Sequence, residues 1–240
     1  REEPMSEWRR KRFWAEATAE AVEDGWIVTL DGRAVQTPAK APLLLPTARL
    51  AQAIAAEWAA QEGEIDPFSM PVTRAANSAI DKVRPQRAQV VAGLVAYAET
   101  DLICHRAESP ESLAQSQAEA WDPLLDWARS GLGAPLIATA GILPVAQPET
   151  SLTALHDRVA AEDAFALTAL SELVSLSGSL VIGLAAVDAV LPVEELWRRS
   201  RIDETFQESR WGVDEEAAAA AAARREDFLR AARLYTISRR

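Results

Sequence analysis

The spacing of apolar residues changes near residue 70, and a chain that changes period there has to combine two kinds of structure. Up to Met70, short β-prone runs are cut by proline and glycine. Arg12 to Val22 alternates enough for a strand, Glu23-Asp24-Gly25 makes a turn, and Trp26 to Leu30 (WIVTL) is strongly β-forming. Asp31-Gly32 is a two-residue hairpin signal ahead of Ala34 to Thr37. Pro38 and Pro42 punctuate, and Leu43-Leu44-Leu45 ends at Pro46. Thr47 is placed to cap a helix over Ala48 to Gln61, which carries Leu50, Ile54, Glu57, Trp58 and Gln61 along one side. Trp58 reads as a core plug, and Gly63 ends the helix before a connection containing Pro67 and Pro71.

From Val72 onward the period is helical. Thr73 to Lys82 and Gln86 to Glu99 are predicted helices, the second burying Val90, Val91, Leu94, Val95 and Ala98. Glu111 to Gly131 keeps Leu113, Gln117, Trp121, Leu124, Leu125 and Ala128 in register, with Pro123 predicting a kink or break near Asp122. Leu102 to Arg106 reads as a short strand, and Leu136 to Thr139 and Ile142 to Val145 as extended segments. Five helices complete the chain: Thr150 to Ala161, Ala164 to Ser175, Ser179 to Val190, Val193 to Arg210, and Asp214 to about Tyr235. Pro192 opens the fourth and Gly212 separates it from the fifth. The pattern predicts an α+β protein. A small, mostly antiparallel β-containing N-terminal domain with one helix (residues 1–71) precedes a larger, mainly α-helical domain (residues 72–240).

Charge and cysteine content exclude several classes of function. A net charge of -11 argues against nucleic acid, which demands a basic surface, and against docking on anionic lipid. The single cysteine, Cys104, leaves no intramolecular disulfide and no multi-cysteine metal site, which fits a reducing compartment. The longest uncharged apolar stretch, Leu173 to Val187, is shorter than the ~20 residues a bilayer requires, so no membrane insertion is expected. It reads as a buried core helix whose small residues admit a close neighbour. The basic start has no apolar core behind it and is not a secretory signal.

No cofactor is expected either. Gly131-Leu132-Gly133 is the nearest approach to a phosphate loop, and it ends a helix where such a loop begins one. His105 and His156 are too isolated for a metal centre, and Cys104 and His105, adjacent on a strand, point to opposite faces.

The densest group of acids lies among large apolar residues, from Ser200 to Ala217 (SRIDETFQESRWGVDEEA). On one straight helix, Val193, Leu196, Trp197, Ser200, Asp203, Glu204, Gln207 and Trp211 share a broad face, with Ile202 and Phe206 beside it. Neighbouring acids on a helix do not face each other as a catalytic pair must, so a catalytic reading is set aside and no catalytic residue is assigned. The candidate partner-binding residues are Asp203, Glu204, Phe206, Gln207, Trp211 and Asp214, acids and an amide framed by aromatics as at an interface. An internally paired helix junction at Gly212 is the alternative.

Several passages resemble the ATP synthase assembly chaperones that bind the free alpha subunit of the catalytic head. They are KRFW (Lys11 to Trp14), LDGRAVQTPAKAPL (Leu30 to Leu43), and Glu57-Trp58 with Gln61. ETDLICHR (Glu99 to Arg106), WDPLLDWA (Trp121 to Ala128), SGSLV (Ser177 to Val181) and the pattern from Asp203 to Ala217 follow in order. The resemblance implies a non-enzymatic chaperone that covers the alpha subunit's apolar interface until its partner subunit docks. It implies a stabilising role for Trp58 and a functional acid at Asp203 or Glu204. It also implies a bacterial, cytoplasmic member, expected to be monomeric when free, because the mitochondrial targeting extension of eukaryotic members is lacking. A hydrolase built on the acids near Asp203 and Glu204, and a stoichiometric structural subunit of a complex, are the competing readings.

Overall fold

The computed structural model describes residues 11–141, 145–212 and 214–239. The chain divides into two compact units, one holding residues up to Pro85 with those from Ile237 onward, the other running from Gln86 to Thr236. The boundary expected after residue 71 falls inside the first unit.

That unit is built on three antiparallel strands, β1 (Ala17–Val22), β2 (Gly25–Leu30) and β3 (Arg33–Ala34), in that order. Val22 pairs with Gly25 and Leu30 with Arg33, so both hairpins have two-residue turns. Asp31 and Gly32 take the positive φ values, 47° and 77°, that such a turn demands. The Asp31 carboxylate accepts the backbone N–H groups of Glu16 and Ala15, which holds its carboxyl below the usual range. Gly25 is required where β2 meets the segment ending at Leu45. A Cβ there would lie 2.5 Å from the Leu45 carbonyl oxygen, which accepts from Trp26 N–H at 2.9 Å.

The first strand starts later than its alternation predicts. Arg12 donates to the carbonyls of Trp14, Ala15 and Gln61, which ties this segment to the end of the first helix and keeps it out of the sheet. The third strand, expected over Ala34 to Thr37, is only two residues long because the chain turns back at Thr37, whose carbonyl accepts from Lys40 N–H.

The first helix, α1 (Ala48–Ala59), is capped as expected: Thr47 Oγ1 accepts Leu50 N–H at 3.1 Å. It buries Leu50, Ala51, Ile54 and Ala55. Trp14, almost fully buried, donates its indole N–H to the Trp58 carbonyl at 3.3 Å and packs edge-to-face on the half-buried Trp58 ring at 5.2 Å. The Glu57 carboxylate caps α2 (Pro71–Ser78), accepting from Val72 N–H and Thr73 N–H at 2.8 Å and from Thr73 Oγ1 at 2.7 Å. Buried Gln61 ties the intervening loop through Asp66 N–H and Ser69 Oγ. The EW–Q passage is therefore a bracket between two helices.

The second unit comprises α3 (Arg87–Ala96), α4 (Glu111–Gly131), α5 (Glu149–Ala160), α6 (Ala164–Ser177), α7 (Leu180–Val187), α8 (Val193–Arg199), α9 (Ile202–Trp211) and most of α10 (Glu215–Ser238). Two-residue strands β4 (His105–Arg106) and β5 (Thr139–Ala140) pair in parallel. Its core gathers Ile103, Trp121, Leu124, Leu173, Val181, Ile182, Leu196, Trp197 and Phe228. The apolar run from Leu173 to Val187 is interior, and it forms two helices joined at Gly178, whose φ of 73° is left-handed. The close neighbour admitted by its small residues is part of itself: a Cβ on Gly183 would sit 2.6 Å from Val174 Cγ2.

Three expectations are corrected here. Leu102 to Arg106 is mostly not a strand: Leu102–Cys104 is a 3-10 turn, because the Asp101 carboxylate accepts Ile103 N–H and the Asp101 carbonyl accepts Cys104 N–H. Pro123 does not break α4, which runs unbroken for 21 residues with Trp121 and Leu124 buried on either side of it. Val193 to Arg210 is two helices. Ser200 N–H bonds the carbonyls of Leu196 and Trp197, Ser200 Oγ also bonds Trp197 O, and the helix closes there. Ile142, Leu143 and Pro144 lie outside the described residues, and with them most of the extended segment expected at Ile142 to Val145.

Candidate partner-binding surface

The break at Ser200 separates the residues that a straight helix would align. Trp197 stays on α8, 5% exposed, with its ring 5.5 Å from Phe228 in the core. Trp211 ends α9 at 81% exposure. The two tryptophans therefore do not form one exposed patch: Trp197 is a core residue with only an edge towards the surface, and Trp211 is in solvent.

The anchor of this region is α8. Trp121 donates its indole N–H to the Arg199 carbonyl at 2.8 Å, and the Arg199 guanidinium donates to Ala120 O at 2.7 Å and to Glu195 at 2.8 Å. From this fixed end α9 projects with no buried residue of its own. It packs on α4 along one side. Ile202, Thr205, Phe206 and Ser209 line a groove of about 590 Å³ bounded by Ser116, Trp197 and Ala221. Asp203, Gln207 and Trp211 lie within about 80° of one another on the helix.

The two acids of the first turn are held differently. Glu204 is paired internally, its Oε1 2.6 Å from the Arg201 guanidinium, which also stacks 5.8 Å above the Trp197 ring. Asp203 Oδ1 accepts from Gln117 Nε2 on α4 at 2.6 Å. That donor is a neutral amide, and among the described residues no lysine or arginine forms an ion pair with Asp203. A half-buried carboxylate is thus oriented without being neutralised.

The remaining predicted residues occupy separate places. Gln207 is exposed. Phe206 is half-buried in the groove, with Arg210 5.1 Å above its ring. Asp214 starts α10, its Oδ1 accepting from Glu216 N–H at 2.9 Å and Ala217 N–H at 3.2 Å. Gln117 keeps the helical register of α4 in the sequence, and its link to Asp203, 86 residues away, has no local sequence signal. Among the described residues no group of three or more histidine, cysteine, aspartate and glutamate side chains could hold a metal ion. None of their helices is long and apolar enough to cross a membrane.

The passages singled out in the sequence also meet in space within the second unit. Asp101 of ETDLICHR is fully buried and accepts Val181 N–H of SGSLV at 3.1 Å, while Leu102 N–H bonds Gly178 O. Burial pushes the Asp101 carboxyl up to about 6, against the hydrogen bonds from Ser179 and Val181. The same burial, and then the Asp101 charge, push the neighbouring Cys104 thiol up to about 12, so it is an inert core group at neutral pH. Arg106 closes the motif, bonding Ile103 O, pairing with Asp122 at 2.8 Å and covering the Trp121 ring.

A family profile described as ATP12 chaperone protein matches residues 11–129. A crystal structure of Atp12 from Paracoccus denitrificans is 49% identical, with a TM-score of 0.93 over 97% of this chain and 100% of that one. The chain belongs to the ATP12 chaperone family. An aspartate-to-lysine mutant of the P. denitrificans Atp12p, also 49% identical, gives a TM-score of 0.94 over 98% of this chain and 100% of that chain. The mitochondrial protein atp12 of Schizosaccharomyces pombe is 25% identical over 229 residues, 89% of this chain and 78% of that protein. The α+β architecture is thus that of an ATP12 chaperone, a small antiparallel sheet followed by a mainly helical region. The resemblance carried by the motifs is confirmed, and these are the assembly chaperones of ATP synthase.

Proposed function

We propose that this ATP12-family protein holds the free alpha subunit of ATP synthase, shielding its subunit interface until the catalytic head assembles, and that α9 makes the contact. The observation that carries this reading is the Asp203 carboxylate, oriented by the neutral amide of Gln117 and, among the described residues, in no ion pair with a lysine or arginine, on the helix that ends in exposed Trp211. A charge without an ion pair and an exposed tryptophan on the same helix are ingredients of an interface hot spot with its polar rim. Of the two acids, Asp203 is the one available to a partner's cation, since Glu204 is already paired with Arg201.

A hydrolase at this site would need a second acid, a histidine or a metal opposite Asp203, and the side chain placed there is the Gln117 amide. The client is free in solution before assembly, so the protein works in the compartment where the alpha subunit is made, the bacterial cytoplasm. The test is co-purification of the protein with the free alpha subunit, set against the assembled head. Binding to the free subunit alone is expected, and Asp203→Lys should abolish it with the melting temperature within about 3 °C of wild type, a surface-sized change. No detectable binding of the wild-type protein to the free subunit overturns the proposal.

A further inference from the structure

Among the described residues, the buried amide of Gln117 is the polar side chain that joins the interior of the second unit to the candidate contact acid. Gln117 is 2% exposed, on the inner face of α4. Its Oε1 accepts Ala107 N–H at 2.8 Å, from the residue that follows β4. Its Nε2 donates to Asp203 Oδ1 at 2.6 Å. The amide orientation follows from this pairing. A backbone N–H can only donate and an ionised carboxylate can only accept, so the amide oxygen must face Ala107 and the nitrogen Asp203.

The consequence is mechanical. α9 has no buried residue to lock its rotation, and its N-terminal turn follows the irregular junction at Ser200 and Arg201. A bond from a buried, doubly engaged amide supplies the missing constraint, fixing one carboxylate oxygen and leaving the other for a partner. Ala107 sits at the end of the segment anchored by Asp101 and Arg106, so the position of Asp203 is referred back to the buried motif residues of the unit.

We infer that Gln117 is a positioning residue for client binding: it sets the direction of the Asp203 carboxylate, and the client reads that direction as well as the charge. This inference rests on the proposed contact at Asp203.

The experiment uses the full chain and the purified free alpha subunit. Gln117→Glu keeps the acceptor for Ala107 N–H but sets a second carboxylate against Asp203, which turns away. Binding should weaken about tenfold, the scale of one hydrogen bond to a charged group. Combining Gln117→Glu with Asp203→Asn restores a donor–acceptor pair with its direction reversed. Melting should then recover towards wild type while binding stays weak, because the charge now lies at the buried position. Because this double variant also lacks the Asp203 charge, its weak binding reports on the contact, and the positioning role is overturned if Gln117→Glu alone lowers the melting temperature without weakening binding.

Two further readouts separate the claims. In the free protein, Asp203→Ala should shift the Gln117 side-chain amide resonance, and an unmoved resonance would show that the bond is not made in solution. If Gln117→Glu and Asp203→Ala both leave alpha-subunit affinity unchanged while that resonance still shifts, the bond exists but the contact at Asp203 is wrong, and the inference falls with it. If Asp203→Ala weakens binding and Gln117→Glu does not, the contact stands and the positioning role is overturned.

Discussion

At the scale of single residues, the informative polar groups are the ones whose environment departs from water. Asp101 is fully buried at the joint between the Leu102–Cys104 turn and the start of α7, and its carboxyl is raised from 3.8 to about 6. Its folded-state value lies above its unfolded one, so the folded chain binds this proton more tightly. The group therefore contributes most below about pH 4, and the contribution is lost as pH rises through about 6. Asp101→Asn imitates the protonated form and removes this dependence. The melting temperature of the wild type relative to Asp101→Asn should increase as pH is lowered from 7 to 4 and stay flat above 7. Equal pH profiles for the two proteins would show that Asp101 is not raised.

At the scale of elements, each helix of the second unit is fastened by polar contacts whose partners are far away in the chain. Glu162 is 2% exposed just past the end of α5, accepting from Arg158 at 2.6 Å and from the Tyr235 hydroxyl of α10 at 2.7 Å. Arg158 also pairs with Asp188 at the end of α7. Arg87 at the start of α3 donates to the Glu162 carbonyl at 2.9 Å. Removing the carboxylate leaves a partly buried guanidinium and a buried hydroxyl short of their partner. Glu162→Ala should cost about 3–5 kcal/mol, read as a fall in the urea midpoint at unchanged slope. Next to it, Asp163 caps α6 through Phe165 N–H and Ala166 N–H, both at 2.9 Å, and Asp163→Ala should cost only about 1 kcal/mol. Similar losses for the two variants would mean that the Glu162 cluster is not buried as a network.

At the scale of the whole molecule, the net charge of -11 bears on association more than on fold. A client contact through an unneutralised aspartate on an acidic protein weakens with ionic strength, because added salt shortens the screening length from ~10 Å at 0.1 M to ~3 Å at 1 M. The dissociation constant for the alpha subunit should rise roughly tenfold over that range. Asp203→Asn should flatten the salt dependence, whereas Trp211→Ala should weaken binding at every salt concentration and leave the slope unchanged. Parallel slopes for wild type and Asp203→Asn would remove the charge from the contact.

Local chemistry made much of the architecture readable in advance. The Asp31-Gly32 hairpin, the Thr47 cap, the late helices other than the one expected over Val193 to Arg210, and the interior run from Leu173 to Val187 follow from turn conformations, capping hydrogen bonds and apolar period, all set within a few residues. The motifs likewise led to the right family. Contacts between distant residues decided the rest. Arg12 reaching Gln61 delays the first strand, and the Asp101 carboxylate that caps the Leu102–Cys104 3-10 turn is held at its other oxygen by Val181 N–H. Trp121 and Leu124, packed in the core, carry α4 through a proline that its own sequence would let break.

The surface at α9 shows the division most plainly. Its acids and aromatics stand out in the sequence, but a straight helix placed Trp197 beside Trp211 when one is in the core and the other in solvent. What distinguishes Asp203 from Glu204 is a glutamine 86 residues away, and only the packing of α9 on α4 brings that amide within 2.6 Å. Periodicity is a property of neighbours along the chain. Whether a charge is paired depends on which groups the fold brings within a hydrogen bond of it, so the cluster of acids was legible in the sequence and the difference between Asp203 and Glu204 was not.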